Sequence, residues 1–384
     1  MAAPHIYLNN AATSWPKPRL VQDAVTDCII DLPFHGDRTG FDQSGSDPVR
    51  ECRVALSRLL NSETPDSIYF TSNATESLNL AIKGLPLEGK HVVTTATEHN
   101  SVLRPLRHLE AAGAISLTII PCDAEGKCDL QQFSKAICAD TAAVVVNHCS
   151  NVTGAVQDIA EICQLCKALG ITVLLDASQS AGAIPVDLKG WGVDILAFTG
   201  HKSLFGIQGI GGIHVSENIR LRPLKTGGTG VRSDLPLHPE EPPFRYEAGT
   251  GNMPGIVSLL AGIRFIEEYG GVEAVHRYKV SIMRQIIEGL DSIHSVRIIR
   301  RASALESGTA ISFTINGISV EDAGYALENV WGIAVRSGLH CAPLIHSYIG
   351  TAPEGTIRAS PSVFTTGEEV EAFVSAVREL AATV

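Results

Sequence analysis

Short apolar runs alternate with amphipathic stretches through the first two-thirds of the chain. Residues 67–72 (SIYFTS), 91–96 (HVVTTA), 115–120 (ISLTII), 142–148 (AAVVVNH), 171–178 (ITVLLDAS) and 194–200 (DILAFTG) are strand-length and largely apolar. Between them, TESLNLAIKGL, SVLRPLRHLEAAG and QDIAEICQLCKALG (157–170) carry apolar residues at helical spacing. Strands this apolar are buried on both faces. That pattern predicts an α/β fold with a mostly parallel sheet covered by helices. Chemistry in such sheets gathers at the carboxyl ends of the strands.

The pattern changes after Asn252. The stretch from Gly255 to Ile293 predicts one or two long helices, broken at Gly270-Gly271. Strand-like SVRIIR and GTAISFTI follow, then a helix at 319–329, the strand GIAVR and a last helix from about Thr366. This predicts a smaller α+β unit. The expected division is a large domain over 17–254 and a small domain built from 1–16 and 255–384.

Composition narrows the classes. The chain has 384 residues, 45% hydrophobic and 18% charged, which is globular and long enough for two domains. A net charge of −11 argues against nucleic-acid or acidic-membrane partners. The apolar runs are too short to span a bilayer. The opening MAAPHIYLNNAATSWPKPR does not read as a secretory signal, so a cytoplasmic protein is expected. Nine cysteines over this length do not form a secreted disulfide pattern. Cys163 and Cys166 form a C-x-x-C on an amphipathic helix, with no second pair to complete a zinc site. They read as buried core, as do Cys28, Cys52 and Cys138, and no metal is expected.

Polar residues collect where the apolar strands stop. Asp176 ends ITVLLD, with Gln179 three residues on; Thr199, His201 and Lys202 follow DILAF. Asn151 follows VVVNHCS, His99 follows VVTTATE, and Ala74, Thr75 and Glu76 open a helix after FTSN. Each alone is compatible with a cap or turn. Together they supply what pyridoxal 5′-phosphate requires: a lysine for a Schiff base and an aspartate for the pyridine nitrogen. A helix N-terminus for the phosphate is also present, with Ala74 and Thr75 at its start and Thr199 and His201 adding donors. His99 can stack on the ring, and Lys202 can also move protons.

These motifs, in order, resemble the class V, fold-type I pyridoxal-phosphate enzymes, in the group of cysteine desulfurases and selenocysteine lyases. The likeness runs through YLNNAATSWPKP, TSNATESLNLAI, TEHNS, SNVTG, DASQSAG, TGHK, YEAGTGN, VRSGLHCA and GTIRASP. The resemblance implies that Lys202 forms the covalent aldimine, that Asp176 pairs with the ring nitrogen, and that Gln179 contacts the ring oxygen. It implies that Asn151 lies on the substrate side of the cofactor. Arg358 would grip the substrate α-carboxylate, for which a guanidinium fork is suited. Arg336 and, in FHGDRTGFDQSG, Arg38 are expected to face the substrate. A homodimer is implied, with Gly249 and Thr250 reaching the phosphate of the partner's cofactor. Asn73-Ala74 departs from the family, where a glycine and a hydroxyl residue are common, so one side-chain contact to the phosphate is replaced or lost.

Cys341, in VRSGLHCAPL, then takes the role of a thiol that removes sulfur from cysteine, leaving alanine and an enzyme persulfide. Its segment is short, as in group II desulfurases, which often pass sulfur to an acceptor protein; iron–sulfur cluster assembly is one implied destination. His340 is a candidate to assist the thiol. Selenocysteine lyase is the nearest alternative, followed by a class V aminotransferase or C–S lyase lacking a persulfide. Outside catalysis, an inactive scaffold or a thiol metal or redox protein would use the nine cysteines but leave Lys202, Asp176 and Arg358 without purpose.

Overall fold

The computed structural model describes residues 6–30, 47–299 and 301–384. Thirteen strands occur among these residues. In chain order they are β1 (Ile6–Tyr7), β2 (Ile68–Thr71), β3 (Lys90–Thr95), β4 (Ile115–Ile120), β5 (Thr141–Asn147), β6 (Thr172–Asp176), β7 (Ile195–Thr199) and β8 (Gly211–Val215). The remaining five are β9 (Val296–Ile299), β10 (Ile311–Ile315), β11 (Ile333–Ala334), β12 (Arg336–Gly338) and β13 (Thr356–Ala359).

The six apolar runs of the sequence become β2 to β7, within one sheet of order β2-β8-β7-β6-β5-β3-β4. β4, β3, β5, β6 and β7 are parallel neighbours, whereas β8 runs antiparallel to β7 and β2 antiparallel to β8. All five residues of β7 are buried, as are Val144 to Asn147 of β5, which is the reason these strands show no polar alternation. Helices cover both faces. Leu78, Ala81, Val102 and Leu106 pack with Val92, Val145 and Ile213 on one side. Ile162, Cys163, Leu259 and Ile263 pack with Val144, Val146 and Leu196 on the other.

A second sheet, β12-β13-β10-β9, is antiparallel throughout. The helices Val272–Asp291, Val320–Trp331 and Gly367–Ala381 supply Ile286, Leu327 and Phe373 to its core, beside Phe313 and Ile357. β1 pairs in parallel with β11, and Ile6 and Leu8 are buried in the same core. The segment from Ile6 to Leu8 therefore packs with the last third of the chain. Along this stretch, apolar residues from Ile256 to Val275 belong to the first core and those from Ile282 to Leu290 to the second. The two cores thus meet inside the helix Val272–Asp291. The helix Met253–Glu268 packs its apolar face on the first core because it is buried against the helices Arg19–Ile30 and Pro48–Leu59.

The segment GIAVR was expected as one strand. It forms two, since Ile333 and Ala334 pair with β1 while Arg336 to Gly338 pair with β13. The helix break at Gly270-Gly271 occurs where expected, with φ of +106° and +86°. Cys163 and Cys166 are buried in the helix Ile159–Lys167, and burial pushes both thiols up to about 12. Cys52 is likewise buried within a helix, but Cys138 lies exposed past the end of the helix Leu130–Ala136. No helix among the described residues is long and apolar enough to cross a membrane.

Candidate active site

β5 and β6 run in register, so Asn147 stands opposite Asp176 at their carboxyl ends; β7 continues the row and releases the chain at Thr199 toward Lys202. A cavity of about 230 Å³ opens there. Its lining includes Ala74, Thr75, His99, Asn151, Asp176, Gln179, Thr199, His201, Lys202, Arg336 and Arg358. Eleven expected residues from both sheets and their connections therefore meet at one place. A larger cleft of about 570 Å³, beside Asp194, His214 and Lys167, lies at the other end of the strands and contains none of them.

The helix Ala74–Gly84 points its N-terminus at this cavity. Asn73 caps it by accepting from the Glu76 amide at 3.0 Å, while Glu76 accepts from the Ser72 amide at 2.7 Å. The cap leaves the amides of Ala74 and Thr75 as the free donors of the first turn. Gly211 permits this placement, because a Cβ there would lie 2.7 Å from Asn73 Cα. The departure Asn73-Ala74 is thereby explained: Asn73 serves the helix, and the backbone serves the cavity. Thr199 Oγ1 and His201 Nδ1 are buried with no partner in the protein. Two orphaned polar atoms beside a helix N-terminus fit the phosphate of pyridoxal phosphate.

Asp176 and Lys202 supply the remaining requirements. The Ser178 amide donates to Asp176 Oδ1 at 2.9 Å and fixes the carboxylate at the end of β6. Burial pulls the Lys202 amine down to about 8; Asp176 opposes this, and the guanidiniums of Arg358 and Arg336 reinforce it. The neutral amine is the form that condenses with a carbonyl. His99 is the N-cap of the helix Asn100–Ala111 and accepts from the Ser101 amide at Nδ1, 3.1 Å away. Its proton is therefore assigned to Nε2. Burial, and then the Lys202 charge, lower its pKa to about 4, so the ring is neutral when it lines the cavity. Gln179 donates from Nε2 to the Ala11 carbonyl at 3.0 Å, which leaves its amide oxygen uncommitted.

Arg358 is 1% exposed. Its Nη1 donates to the Asn151 carbonyl at 2.9 Å and its Nη2 to Asn9 Oδ1 at 3.1 Å, while Nε has no partner. Burial and the adjacent Arg336 lower its pKa to about 9. Arg336 is paired with Arg358 across β12 and β13. Among the described residues no carboxylate pairs with either guanidinium. Two cations held side by side without a counter-charge form a site for a carboxylate.

Cys341 stands one contact outward from the lining: Arg336 Nη2 donates to its Sγ at 3.2 Å. The Asn100 amide donates to the Cys341 carbonyl at 2.7 Å, and Asn151 Nδ2 to the His340 carbonyl at 2.7 Å. The cysteine segment is thus pinned to the larger unit at successive carbonyls. Gly249 and Thr250 are exposed and do not line this cavity. Arg38 lies outside the described residues.

The structure also draws in residues the motifs did not single out. Asn147 donates to the Thr97 carbonyl at 2.6 Å and lines the cavity. Glu98 accepts from the Asn147 amide at 2.9 Å and from Thr95 Oγ1 at 2.6 Å. Burial raises its carboxyl to about 8, so it is protonated at neutral pH. Asn9 orients Arg358. The available signals were the asparagine ending VVVN and the glutamate inside ATEHN; neither spacing reveals what the side chain touches.

The family model described as aminotransferase class-V matches residues 6–373. A probable cysteine desulfurase of Pyrococcus abyssi is 34% identical, the match covering 98% of this chain and 94% of that protein. Probable cysteine desulfurase 2 of Mycobacterium leprae is 33% identical over 97% of this chain and 90% of its own length. Among solved structures, the apo cysteine desulfurase of Thermococcus onnurineus NA1 superposes with a TM-score of 0.90 at 34% identity, covering 99% of this chain and 95% of that one. The cysteine desulfurase CsdA (S-sulfonic acid) of Escherichia coli superposes with a TM-score of 0.88 at 26% identity, covering 98% and 94%.

Proposed function

The chain belongs to the class-V aminotransferase family, and from that premise we propose that it is an L-cysteine desulfurase. The net reaction converts L-cysteine and the Cys341 thiol into L-alanine and a persulfide on Cys341, with every atom accounted for. The observation that carries this reading is the placement of Cys341 Sγ against Arg336, within the same constellation as Lys202, Asp176 and Arg358. An aminotransferase has no use for a thiol there.

Pyridoxal phosphate, when bound, supplies the electron sink that makes the C–S bond of the substrate breakable. Ala74 and Thr75 amides, Thr199 and His201 would hold its phosphate, Asp176 its ring nitrogen, Gln179 its ring oxygen, His99 its face, and Lys202 its carbonyl carbon. Asn151 and Arg358 bind the amino acid, Arg358 through the carboxylate. Lys202, with an amine near neutrality when buried, holds and returns a proton at the substrate Cα. Cys341 receives the sulfur and presents it at the half-buried edge of the site, where an acceptor protein can reach it.

The reading is tested by incubating holoprotein with L-cysteine, trapping persulfides and locating them by mass spectrometry. Label on Cys341, with alanine formed in step with sulfur, is the expected result. A C341A variant that retains wild-type turnover of cysteine would remove the persulfide route.

A further inference from the structure

Lys202 springs from a turn, and the N-terminal segment holds that turn in place. The carbonyl of His201, in the peptide bond that leads into Lys202, accepts from the Ser14 amide at 3.0 Å, Thr13 Oγ1 at 3.1 Å, Ser14 Oγ at 3.2 Å and Lys17 Nζ at 3.0 Å. A peptide unit is planar, so directing this carbonyl also directs the amide and Cα of Lys202. The next carbonyl, that of Lys202 itself, accepts from the Phe205 amide at 2.9 Å. With both peptides fixed, only the four-carbon stem is left to place the amine.

Lys17 is the one charged donor of this set. Its Nζ also donates to Ser14 Oγ at 2.8 Å. It does not line the cavity, and among the described residues no carboxylate pairs with it. Burial pulls its amine down to about 8. An ammonium half-buried without a counter-charge is destabilising in itself, so what Lys17 supplies is its hold on this carbonyl. A charged donor grips a carbonyl harder than a hydroxyl does.

The same segment reaches other site residues through separate anchors. Asn9 Oδ1 accepts from Arg358 Nη2, and the Ala11 carbonyl from Gln179 Nε2. That end is tied to Ser360, whose carbonyl accepts from Asn10 Nδ2 at 3.1 Å and whose Oγ accepts from the Ala11 amide at 2.9 Å. Loss of the Lys17 grip therefore frees the Lys202 end and leaves Arg358 oriented.

We propose that Lys17 is a positioning residue for Lys202, acting through the His201 carbonyl to fix the backbone that carries the reactive amine. The proposal rests on the reading of Lys202 as the cofactor-bearing lysine and does not depend on the fate of the sulfur. Lys17 acts by geometry: the Lys202 amine feels its own burial, Asp176, Arg358 and Arg336, and Lys17 is not among the charges that shift it.

The experiment loads apoprotein with pyridoxal phosphate over a range of pH and follows visible absorbance. K17M is expected to load roughly tenfold more slowly than wild type at every pH, because a misplaced amine loses near-attack geometry. The midpoint of its pH profile stays at about 8, since the burial of the Lys202 amine is unaltered. K17R keeps a charged donor and recovers much of the rate. On cysteine, K17M lowers kcat and leaves KM within about twofold of wild type. K17Q falls one bond short of the carbonyl and gives the same result, which keeps the test decisive should K17M not fold. The proposal is overturned if both neutral variants load as fast as wild type, or if K17R loads no faster than they do. It is also overturned if the midpoint moves toward 10.5 or KM rises as kcat falls, since either reports a loosened fold rather than a misplaced lysine. Wild type that takes up no cofactor would sink the pyridoxal reading and this proposal with it. Wild type that loads while the variants keep pace would sink only the role of Lys17.

Discussion

At the scale of single residues, Lys202 links burial to reactivity. Its amine is lowered to about 8 chiefly by removal from water, with Asp176 pushing back. Condensation with a carbonyl needs the neutral amine. Reloading of apoprotein with pyridoxal phosphate, followed by visible absorbance, should therefore accelerate with pH and level off just above about 8. A rate still climbing toward the ordinary lysine value of 10.5 would contradict that environment. Arg358 is the second case. Both its Nη groups are committed to Asn151 and Asn9, so the remaining donors have a fixed direction. R358K should raise KM for cysteine by roughly tenfold or more while leaving cofactor absorbance intact, because a lysine cannot reproduce the fork. An unchanged KM would take Arg358 out of the substrate site. Lys202 and Asp176 were legible in the sequence because, taken together at the ends of neighbouring buried strands, they supply what one cofactor requires, whereas Arg358 was legible only through the family resemblance. Asn9 and Asn147 were not, since each acts through a cross-chain partner that only folding supplies.

At the scale of elements, two segments were read differently by sequence and structure. The strand GIAVR splits because its halves find partners in different sheets, and pairing partners are a non-local property. The cysteine segment was read as short, and the structure adds why it is held: Asn151 and the Asn100 amide grip the carbonyls of His340 and Cys341. N151A should speed hydrogen exchange across 339–343 and slow persulfide formation by about tenfold, since a misplaced nucleophile loses near-attack geometry. Unaltered exchange would mean that Asn151 does not tether the segment. The helix Val272–Asp291 contains an element-level oddity in Lys279, which is 5% exposed between the two cores and has no carboxylate partner among the described residues. Burial lowers it from 10.5 to about 8, a penalty of roughly 3 kcal/mol at neutral pH. The unfolded chain binds this proton more tightly, so stability rises as pH climbs from about 8 to 10.5. K279M should raise Tm by a few degrees at neutral pH, with the gain shrinking by pH 10.5. A destabilised K279M would show that the amine has a polar role.

At the scale of the whole molecule, the candidate site depends on both cores. Asp176, Lys202 and the helix at Ala74 come from the large sheet, Arg336 and Arg358 from the small one, and Asn9 from the N-terminal strand segment that the small unit recruits. The alternation of strands and helices made the large sheet legible, whereas the meeting of the cores inside one helix was not, because that helix is amphipathic along its whole length. The family resemblance implies a homodimer in which Gly249 and Thr250 serve the partner's site. Gly249 and Thr250 are exposed away from their own site, and large apolar side chains are exposed at Ile29 (71%), Ile30 (76%) and Leu237 (81%). If Thr250 serves the partner's phosphate, defects at Thr250 and at Lys202 fall in different sites of a two-fold dimer. T250E should lose most activity by repelling the phosphate, and K202A should lose all of it. A dimer containing one chain of each then has one site with an intact Lys202 facing an intact Thr250. Refolding an equal mixture of the two variants should restore about a quarter of wild-type activity, since half the dimers are mixed and each has one sound site. Activity no greater than that of T250E diluted to the same concentration would mean that each subunit builds its site alone.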